Sequence, residues 1–161
     1  MNIYITYFYN IRFFPENLVP VSTAVWDPKW YHENKGNNHI FLDKNGVLNG
    51  LRLEQLSPEA TGDESCMECS KNHPDVRNNG HPGKCSFIKS YREYLESLNF
   101  KEIYEILEYI SKKSKEALNL DENPDICLIV YEKPDNPCSE RGGLVEWFKE
   151  NGMELKEWVN D

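Results

Sequence analysis

The most apolar run in the chain, Ile126 to Tyr131, constrains the fold more than any other feature. A continuous apolar run of this length is typical of a strand buried within a sheet. A polar turn follows it, then a helical pattern from Leu144 that ends at Asn151-Gly152, then the alternating segment Met153 to Val159. Strand, helix and strand in this order predict a βαβ unit with parallel strands. We therefore expect an α/β fold, with a layered, mostly parallel sheet and flanking helices.

The remaining elements fit this class. Asn2 to Phe8 and Asn17 to Trp26 are predicted strands, and Pro20 places the second at an edge or gives it an irregular start. Two amphipathic helices are predicted between Phe87 and Ala117, the second capped by Asn99 and Glu102. Asn45-Gly46 predicts a hairpin turn between short apolar runs.

Length and charge limit the functional classes. With 161 residues the chain predicts a single domain, 1–161. The net charge of −9 argues against binding bulk nucleic acid through a basic face, but it leaves room for a local anion pocket. The absence of an apolar run of about 20 residues predicts no membrane span, and the first residues lack the basic region of a secretory signal. We expect a cytoplasmic protein.

Residues 57–85 form an insertion without hydrophobic periodicity that contains three of the five cysteines and two of the four histidines. Tetrahedral zinc sites use four thiolate or imidazole ligands, usually as short pairs separated by a loop. The spacing predicts a structural Zn²⁺ held by Cys66, Cys69, Cys85 and His81, with His73 as the alternative to His81. The other interpretations are a reduced loop with incidental thiols and, less favoured, a redox switch or disulfide.

The loop Cys138-Ser139-Glu140-Arg141 joins the buried strand to the following helix. A cysteine before a helix lies near unpaired N–H groups, which favour its thiolate, and Arg141 could reach the same anion. Three roles stay open for Cys138: contact with an anion or ligand, covalent catalysis, and packing as a small buried residue. The cysteine-phosphatase spacing is absent, and Ser139 also suits a helix N-cap. Cys127, inside the apolar strand, is predicted to pack in the core.

Ligands of open α/β sheets bind at the carboxyl ends of the strands. Three strand ends therefore supply candidates for a site that suits a ligand with a ring and a negative group, such as a nucleotide. Trp30 and Tyr31 could equally form a hydrophobic lid over the sheet. The candidate ligand-binding residues are Tyr7, Asn10, Arg12, Trp30, Tyr31, Arg52, Glu132, Cys138, Ser139 and Arg141, with Trp26 and Asp27 nearby.

Four stretches carry a resemblance to a known family: "YFYNIRFFP", "VPVSTAVWDPKWY", "ICLIVYEKPDNPCSER" and "LVEWFKENGMELKEW". The chain resembles the bacterial and phage family catalogued as domain of unknown function 488. Its members typically carry a strand, an acidic residue and a Cys-x-Arg or Cys-x-x-Arg turn before a helix. The stretches "LDKNGVLNGLRLEQLSP" and "CSFIKSYREYL" resemble a longer subgroup with a Cys-rich insert. Some relatives have Cys-His-Arg in the turn, and any role of that histidine as a base has no counterpart here.

The family that the chain resembles has no agreed activity, so the functional hypotheses rest on the residues. There are three of them. The first is a binding protein for a small, anionic, nucleotide-like ligand, in the cytoplasm of a bacterial host cell and in phage–host conflict. The second is an enzyme that uses the Cys138 thiolate on such a ligand. The third is a zinc-stabilised adaptor whose acidic helices bind a protein partner. Because no histidine in the motif could activate Cys138, the binding protein is favoured.

Overall fold

The computed structural model describes residues 1–32, 50–58, 86–135 and 139–161. Within them the chain forms a four-stranded parallel sheet of β1 (Ile3–Tyr7), β2 (Leu18–Ser22), β3 (Asp125–Val130) and β4 (Lys156–Glu157). The strand order is β2-β3-β1-β4. The expected α/β class is confirmed, and all four of these strands are parallel.

β3 lies between β1 and β2, which explains its composition. Ile3 is in register with Ile126 on one side, and Val19 is in register with Ile126 on the other. Every residue from Ile126 to Val130 is buried. A parallel strand with both faces covered needs apolar side chains at successive positions, so β3 has no polar alternation. Cys127 is among these buried residues, which confirms its predicted packing role.

The two faces of the sheet are covered differently. The first face packs against α2 (Ser86–Glu96), α3 (Phe100–Leu118) and α4 (Arg141–Glu150). The second face is covered by a 3₁₀ helix, Phe8–Phe13, and by the single turn α1 (Lys29–His32). A short 3₁₀ turn, Glu54–Leu56, also belongs to the first core. The second core is rich in aromatic residues, whose large rings compensate for the small covering elements.

The helix ends follow the sequence signals. The Asn99 side chain accepts a hydrogen bond from the Glu102 amide at 3.3 Å, which confirms the predicted N-cap of α3. The C-cap of α3 is Asn119, whose φ of 56° places it in the left-handed region, which asparagine tolerates better than most residues. At the start of α4, the Ser139 hydroxyl accepts a hydrogen bond from the Arg141 amide at 3.1 Å.

Two strands are shorter than their sequence patterns. β2 ends at Ser22, whose side chain donates a hydrogen bond to Asp27 beyond the strand. β4 contains Lys156 and Glu157, paired with Tyr4 and Ile5 of β1. The predicted turn at Asn45-Gly46 and almost all of the Cys/His-rich insertion lie outside the described residues. None of the helices in the described part of the chain is long and apolar enough to cross a membrane.

Candidate functional site

The carboxyl ends of the four strands meet at one edge of the sheet, and two separate polar clusters lie there. The first, which we call the Arg141 cluster, consists of Glu132, Ser139, Glu140, Arg141 and Glu157. These residues come from the end of β3, the start of α4 and the end of β4. They are adjacent because β1 and β3 are neighbours and β4 pairs with β1.

Arg141 lies at the centre of this cluster, and its residue is 9% exposed. Its Nε lies 2.7 Å from Glu157 Oε1, and its Nη1 donates a 2.8 Å hydrogen bond to the backbone oxygen of Glu132. The position matches the sequence prediction, because Arg141 occupies the first turn of a helix that begins beside the strand ends. Contacts within the protein therefore engage Nε and Nη1 of the Arg141 guanidinium.

The carboxyl groups of Glu132 and Glu140 are neighbours, and each influences the ionisation of the other. Glu140 is 5% exposed. Burial, followed by the charge of Glu132, raises the pKa of Glu140 to about 8. Burial also raises the pKa of Glu132, against hydrogen bonds and the charge of Arg141. Neighbouring carboxyl groups in a buried site repel each other when both are ionised, so burial and the charge of Glu132 favour the protonated form of Glu140.

A chain of polar contacts links the cluster to β1. The Thr6 hydroxyl interacts with the Glu157 carboxylate, and Asn10 Nδ2 donates a hydrogen bond to Thr6 Oγ1 at 2.8 Å. Burial raises the pKa of Glu157, whereas Arg141 and Thr6 lower it. Asn10, a candidate from the sequence, thereby joins the cluster through Thr6.

The cluster is short of hydrogen-bond partners. Across the described residues, six buried side-chain atoms have none, and five of them belong here: Glu132 Oε2, Glu140 Oε1, Arg141 Nε, Arg141 Nη2 and Glu157 Oε2. Arg141 Nε has the ionic contact with Glu157, but its N–H does not point at that oxygen. Native proteins leave few buried polar atoms unpaired, and a concentration of them calls for an explanation.

The second cluster, which we call the Asp27 cluster, follows β2. Asp27 is 3% exposed at its side chain, and it accepts a 2.5 Å hydrogen bond from the Ser22 hydroxyl. Its carboxylate also lies 2.6 Å from Arg52 Nη1 and 2.6 Å from His32 Nε2. Arg52 Nη2 donates to the Ala24 backbone oxygen at 2.8 Å. Arg52, predicted to close the rim of the ligand site, here joins residues 50–53 to the end of β2.

The aromatic candidates divide into buried and exposed groups. Tyr31 is fully buried, and its hydroxyl donates a 2.6 Å hydrogen bond to the Leu51 backbone oxygen. Burial raises its pKa, and it packs edge-on against Phe8 and Trp30 as part of the second core. Tyr31 therefore serves the packing role that the sequence left open. Trp26 and Tyr131, which follow β2 and β3, are 72% and 57% exposed.

Arg12 and Tyr7 lie beside the 3₁₀ helix that follows β1. The Arg12 guanidinium lies 3.9 Å from the centre of the Tyr9 ring, and its Nε donates to the Tyr9 backbone oxygen at 2.9 Å. Tyr7 stacks on the same ring at 6.4 Å. These three side chains form one group at the end of β1, next to Asn10.

Several predicted residues lie outside the described part of the chain. Cys138 is one of them, so its position relative to Arg141 stays a prediction. The predicted metal ligands Cys66, Cys69, His81 and Cys85, together with the alternative His73, are also outside. The described residues contain no group of three or more His, Cys, Asp or Glu side chains that could hold a metal ion.

Open grooves are found at the other edge of the sheet. One of about 430 Å³ lies along α3 beside Met1 and Asn123, and one of about 400 Å³ lies near the end of α3. Neither is lined by a residue of the two clusters. We place the candidate site at the Arg141 cluster and not at either groove. Functional sites are marked by several polar groups with shifted pKa values that converge on one place, and the two open grooves lack such a group of residues.

Sequence reasoning missed Glu140, Glu157 and Thr6, and it also missed the two partners of Asp27, Ser22 and His32. Ligands of open α/β sheets bind at the carboxyl ends of the strands, and Glu157 lies at the carboxyl end of the last strand. The candidates were taken from the other three strands, so Glu157 was not among them. Glu140 lies in the loop Cys138-Ser139-Glu140-Arg141, but nothing in the sequence shows that its side chain is buried. His32 is five residues after Asp27, and that spacing alone carries no signal for an ion pair.

The comparisons with known proteins add no family assignment. The chain matches no protein-family model, and no curated protein and no solved structure is significantly similar to it. The resemblance to the domain of unknown function 488 family therefore stays a prediction.

Proposed function

We propose that the chain binds a small nucleotide-like ligand at the Arg141 cluster. The observation that carries this proposal is the concentration of buried side-chain atoms that lack a hydrogen-bond partner. Five of the six in the described residues belong to this cluster, and one of the five, Arg141 Nε, still has its ionic contact with Glu157. An unpaired buried polar group costs roughly 1–3 kcal/mol, and a ligand that supplies the missing partners recovers that energy on binding.

The kinds of atoms indicate the kind of ligand. Arg141 Nη2 is a donor and suits a phosphate or carbonyl oxygen, in line with the predicted anion site. The free oxygens of Glu132, Glu140 and Glu157 include acceptors for ribose hydroxyls or base N–H groups. Exposed aromatic residues at the same edge, Tyr131 and Trp26, could contact a ring. A nucleotide combines all three groups.

Arg141→Lys tests the proposal, with Arg92→Lys as the matched control. Arg92 also forms ion pairs with glutamates, Glu146 and Glu150 of α4, but it lies outside the cluster and is more exposed than Arg141. Isothermal titration with AMP, GMP, CMP and UMP should show binding of at least one of them. Arg141→Lys should weaken that binding about 10- to 100-fold through loss of a charge-assisted hydrogen bond, and Arg92→Lys should leave it unchanged.

Two results would reject the proposal. The first is that none of the four nucleotides binds. The second is that the two lysine variants bind equally well, because the site would then lie elsewhere.

The structural zinc of the insertion stays a separate prediction. Three cysteines and two histidines in 57–85 motivate it. Metal analysis of freshly prepared, reduced protein should find about one zinc per chain, as a four-ligand structural site requires. Protein without zinc under these conditions would show that the thiols are incidental.

A further inference from the structure

The 3₁₀ helix that follows β1 sorts its side chains by their spacing. Such a helix has three residues per turn, so side chains three positions apart lie one above the other. Phe8 and Ile11 have this spacing and are buried in the second core. Tyr9 and Arg12 have the same spacing on the other side of the helix, and both are exposed. An arginine therefore lies over a tyrosine on a surface that faces solvent.

Arg12 is held in one position on this surface. Its guanidinium lies 3.9 Å from the centre of the Tyr9 ring, and its Nε donates a 2.9 Å hydrogen bond to the Tyr9 backbone oxygen. Within the described residues, its Nη1 and Nη2 form no hydrogen bond. A side chain that is already fixed loses less conformational entropy when a ligand binds to it. Arg12 is thus prepared to donate through its two Nη groups.

Arg12 differs from the other arginines that the structure describes. Arg52, Arg92 and Arg141 each have an ionic contact with a carboxylate. Arg12 has none among the described residues, although the whole chain contains 27 acidic and only 18 basic side chains. Its charge is therefore available to an anion from outside the protein, and guanidinium groups bind phosphate and carboxylate groups well.

Aromatic rings lie beside this arginine. The Phe13 ring packs edge-on against Tyr9, with the ring centres 5.8 Å apart, and Tyr7 stacks on Tyr9 at 6.4 Å. Tyr9 and Phe13 are 51% and 41% exposed. No other ring pair in the described ranges has both of its rings exposed. Apolar groups that are exposed together, with a polar group at their rim, mark surfaces that bind a ligand or a partner.

We propose that Arg12, Tyr9 and Phe13 form a second binding surface, for a phosphate group attached to a planar ring, as in a nucleoside monophosphate. The phosphate accepts hydrogen bonds from Nη1 and Nη2 of Arg12, and the ring packs on the exposed aromatic side chains, as nucleobases do in other proteins. The surface is open to solvent, so a ligand needs no cavity to reach it. It uses no atom of the Arg141 cluster and does not rest on the proposed function.

The experiment divides the ligand into its two parts. AMP, adenosine and ribose 5-phosphate are titrated separately, and the amide chemical shifts of Tyr9 to Phe13 give the affinity at this surface. AMP should bind most tightly, and adenosine and ribose 5-phosphate should each bind about 10-fold more weakly, because each lacks one of the two contacts. Arg12→Gln should reduce the affinity for AMP to about that for adenosine.

Two further variants make the test specific. Phe13→Ala should weaken AMP and adenosine several-fold and should leave ribose 5-phosphate unchanged, because only the first two contain a base. The matched control is Lys113→Gln on α3, where Lys113 Nζ lies 5.7 Å from the ring centre of Tyr109, which is 61% exposed. This control removes a cation beside an exposed tyrosine far from the 3₁₀ helix, and it should change none of the three affinities.

The outcomes separate this surface from the Arg141 cluster. Equal affinities for AMP and adenosine, or AMP binding that Arg12→Gln leaves unchanged, would overturn the proposal. Shifts confined to the Arg141 cluster would also overturn it and would leave the proposed function intact. Shifts confined to Tyr9 to Phe13 that are lost in Arg12→Gln would support this surface and reject the proposed function. If AMP causes no shifts at all, the second surface is rejected.

Discussion

The Asp27 cluster and the Arg141 cluster lie at the same edge of the same sheet and use the same chemistry, yet they differ in how completely they are paired. Asp27 receives contacts from Ser22, His32 and Arg52, and no atom of these four side chains is among the unpaired buried atoms of the described residues. The Arg141 cluster accounts for five such atoms.

This difference distinguishes a structural cluster from a site. A network with all its partners is rigid and fixes the loop after β2, whereas a network with missing partners is destabilising unless something else completes it. Both clusters contain buried, charged side chains, so burial and charge alone do not distinguish them. The number of buried atoms without a hydrogen-bond partner does.

The sharpest test of the comparison is a matched pair of isosteric changes. Asp27→Asn replaces an acceptor by an amide that faces three donors, and it should lower the free energy of unfolding by about 3 kcal/mol. Glu157→Gln should lower it by less than about 1 kcal/mol, because Glu157 is 26% exposed and already lacks a partner for one oxygen. Urea denaturation measures both values.

Equal losses of stability in the two variants would contradict the distinction. A larger loss at Glu157 would reverse it, because the Arg141 cluster would then be the structural one.

The pH dependence of stability is the second test. The pKa of Glu140 is about 8 in the folded protein, above its ordinary value, so the folded state binds more protons than the unfolded state between about pH 4.5 and pH 8. Stability from this group is present at low pH and is lost as the pH rises through that window. The free energy of unfolding should fall by up to about 2 kcal/mol between pH 5.5 and pH 7.5.

Glu140→Gln removes the titrating group and provides the control. Its stability relative to wild type should increase with pH, as measured by urea denaturation at a series of pH values. A difference that does not change with pH would show that Glu140 holds no extra proton.

The smallest expected change in stability is at Gly50, which lies next to His32 of the Asp27 cluster. Gly50 has a φ of +77°, and a Cβ there would clash with His32 Nδ1. Gly152 has a φ of +81° with no heavy atom within 4 Å of such a Cβ. Gly50→Ala should therefore lower the melting temperature more than Gly152→Ala, by the equivalent of about 1 kcal/mol, since both bear the backbone strain and Gly50 alone meets His32. Equal effects would mean that His32 moves aside freely.

The sequence predicted the sheet better than it predicted the site, for physical reasons. The apolar run of β3 and the cap at Asn99 are local signals, and both are confirmed. Glu132, Ser139 and Arg141, which the rule of strand ends selected, lie in one cluster, and their role in binding a ligand stays a prediction. Glu157 and Thr6 depend on the pairing of β4 with β1, which joins residues about 150 positions apart and leaves no local pattern.

Tyr31 is a residue that the sequence selected as a ligand candidate but that lies in the core. Its position after a strand end made it a ligand candidate, but an aromatic ring with one hydroxyl fits a core equally well when a backbone oxygen accepts its hydrogen bond. Composition cannot separate these two roles. The contact with Leu51 does so, and backbone hydrogen bonds from Ser22 to Leu51 and from Leu53 to Ser22 hold this segment beside β2.

The central claim is that the incompletely paired Arg141 cluster binds a nucleotide and the fully paired Asp27 cluster does not. Amide chemical-shift mapping during titration with AMP, GMP, CMP and UMP tests it most directly. The account predicts that a binding nucleotide shifts the amides of Glu132, Ser139 to Arg141 and Glu157, and leaves those of Asp27, His32 and Arg52 in place. Shifts centred on Asp27 and Arg52, or no shifts with any of the four nucleotides, would contradict it.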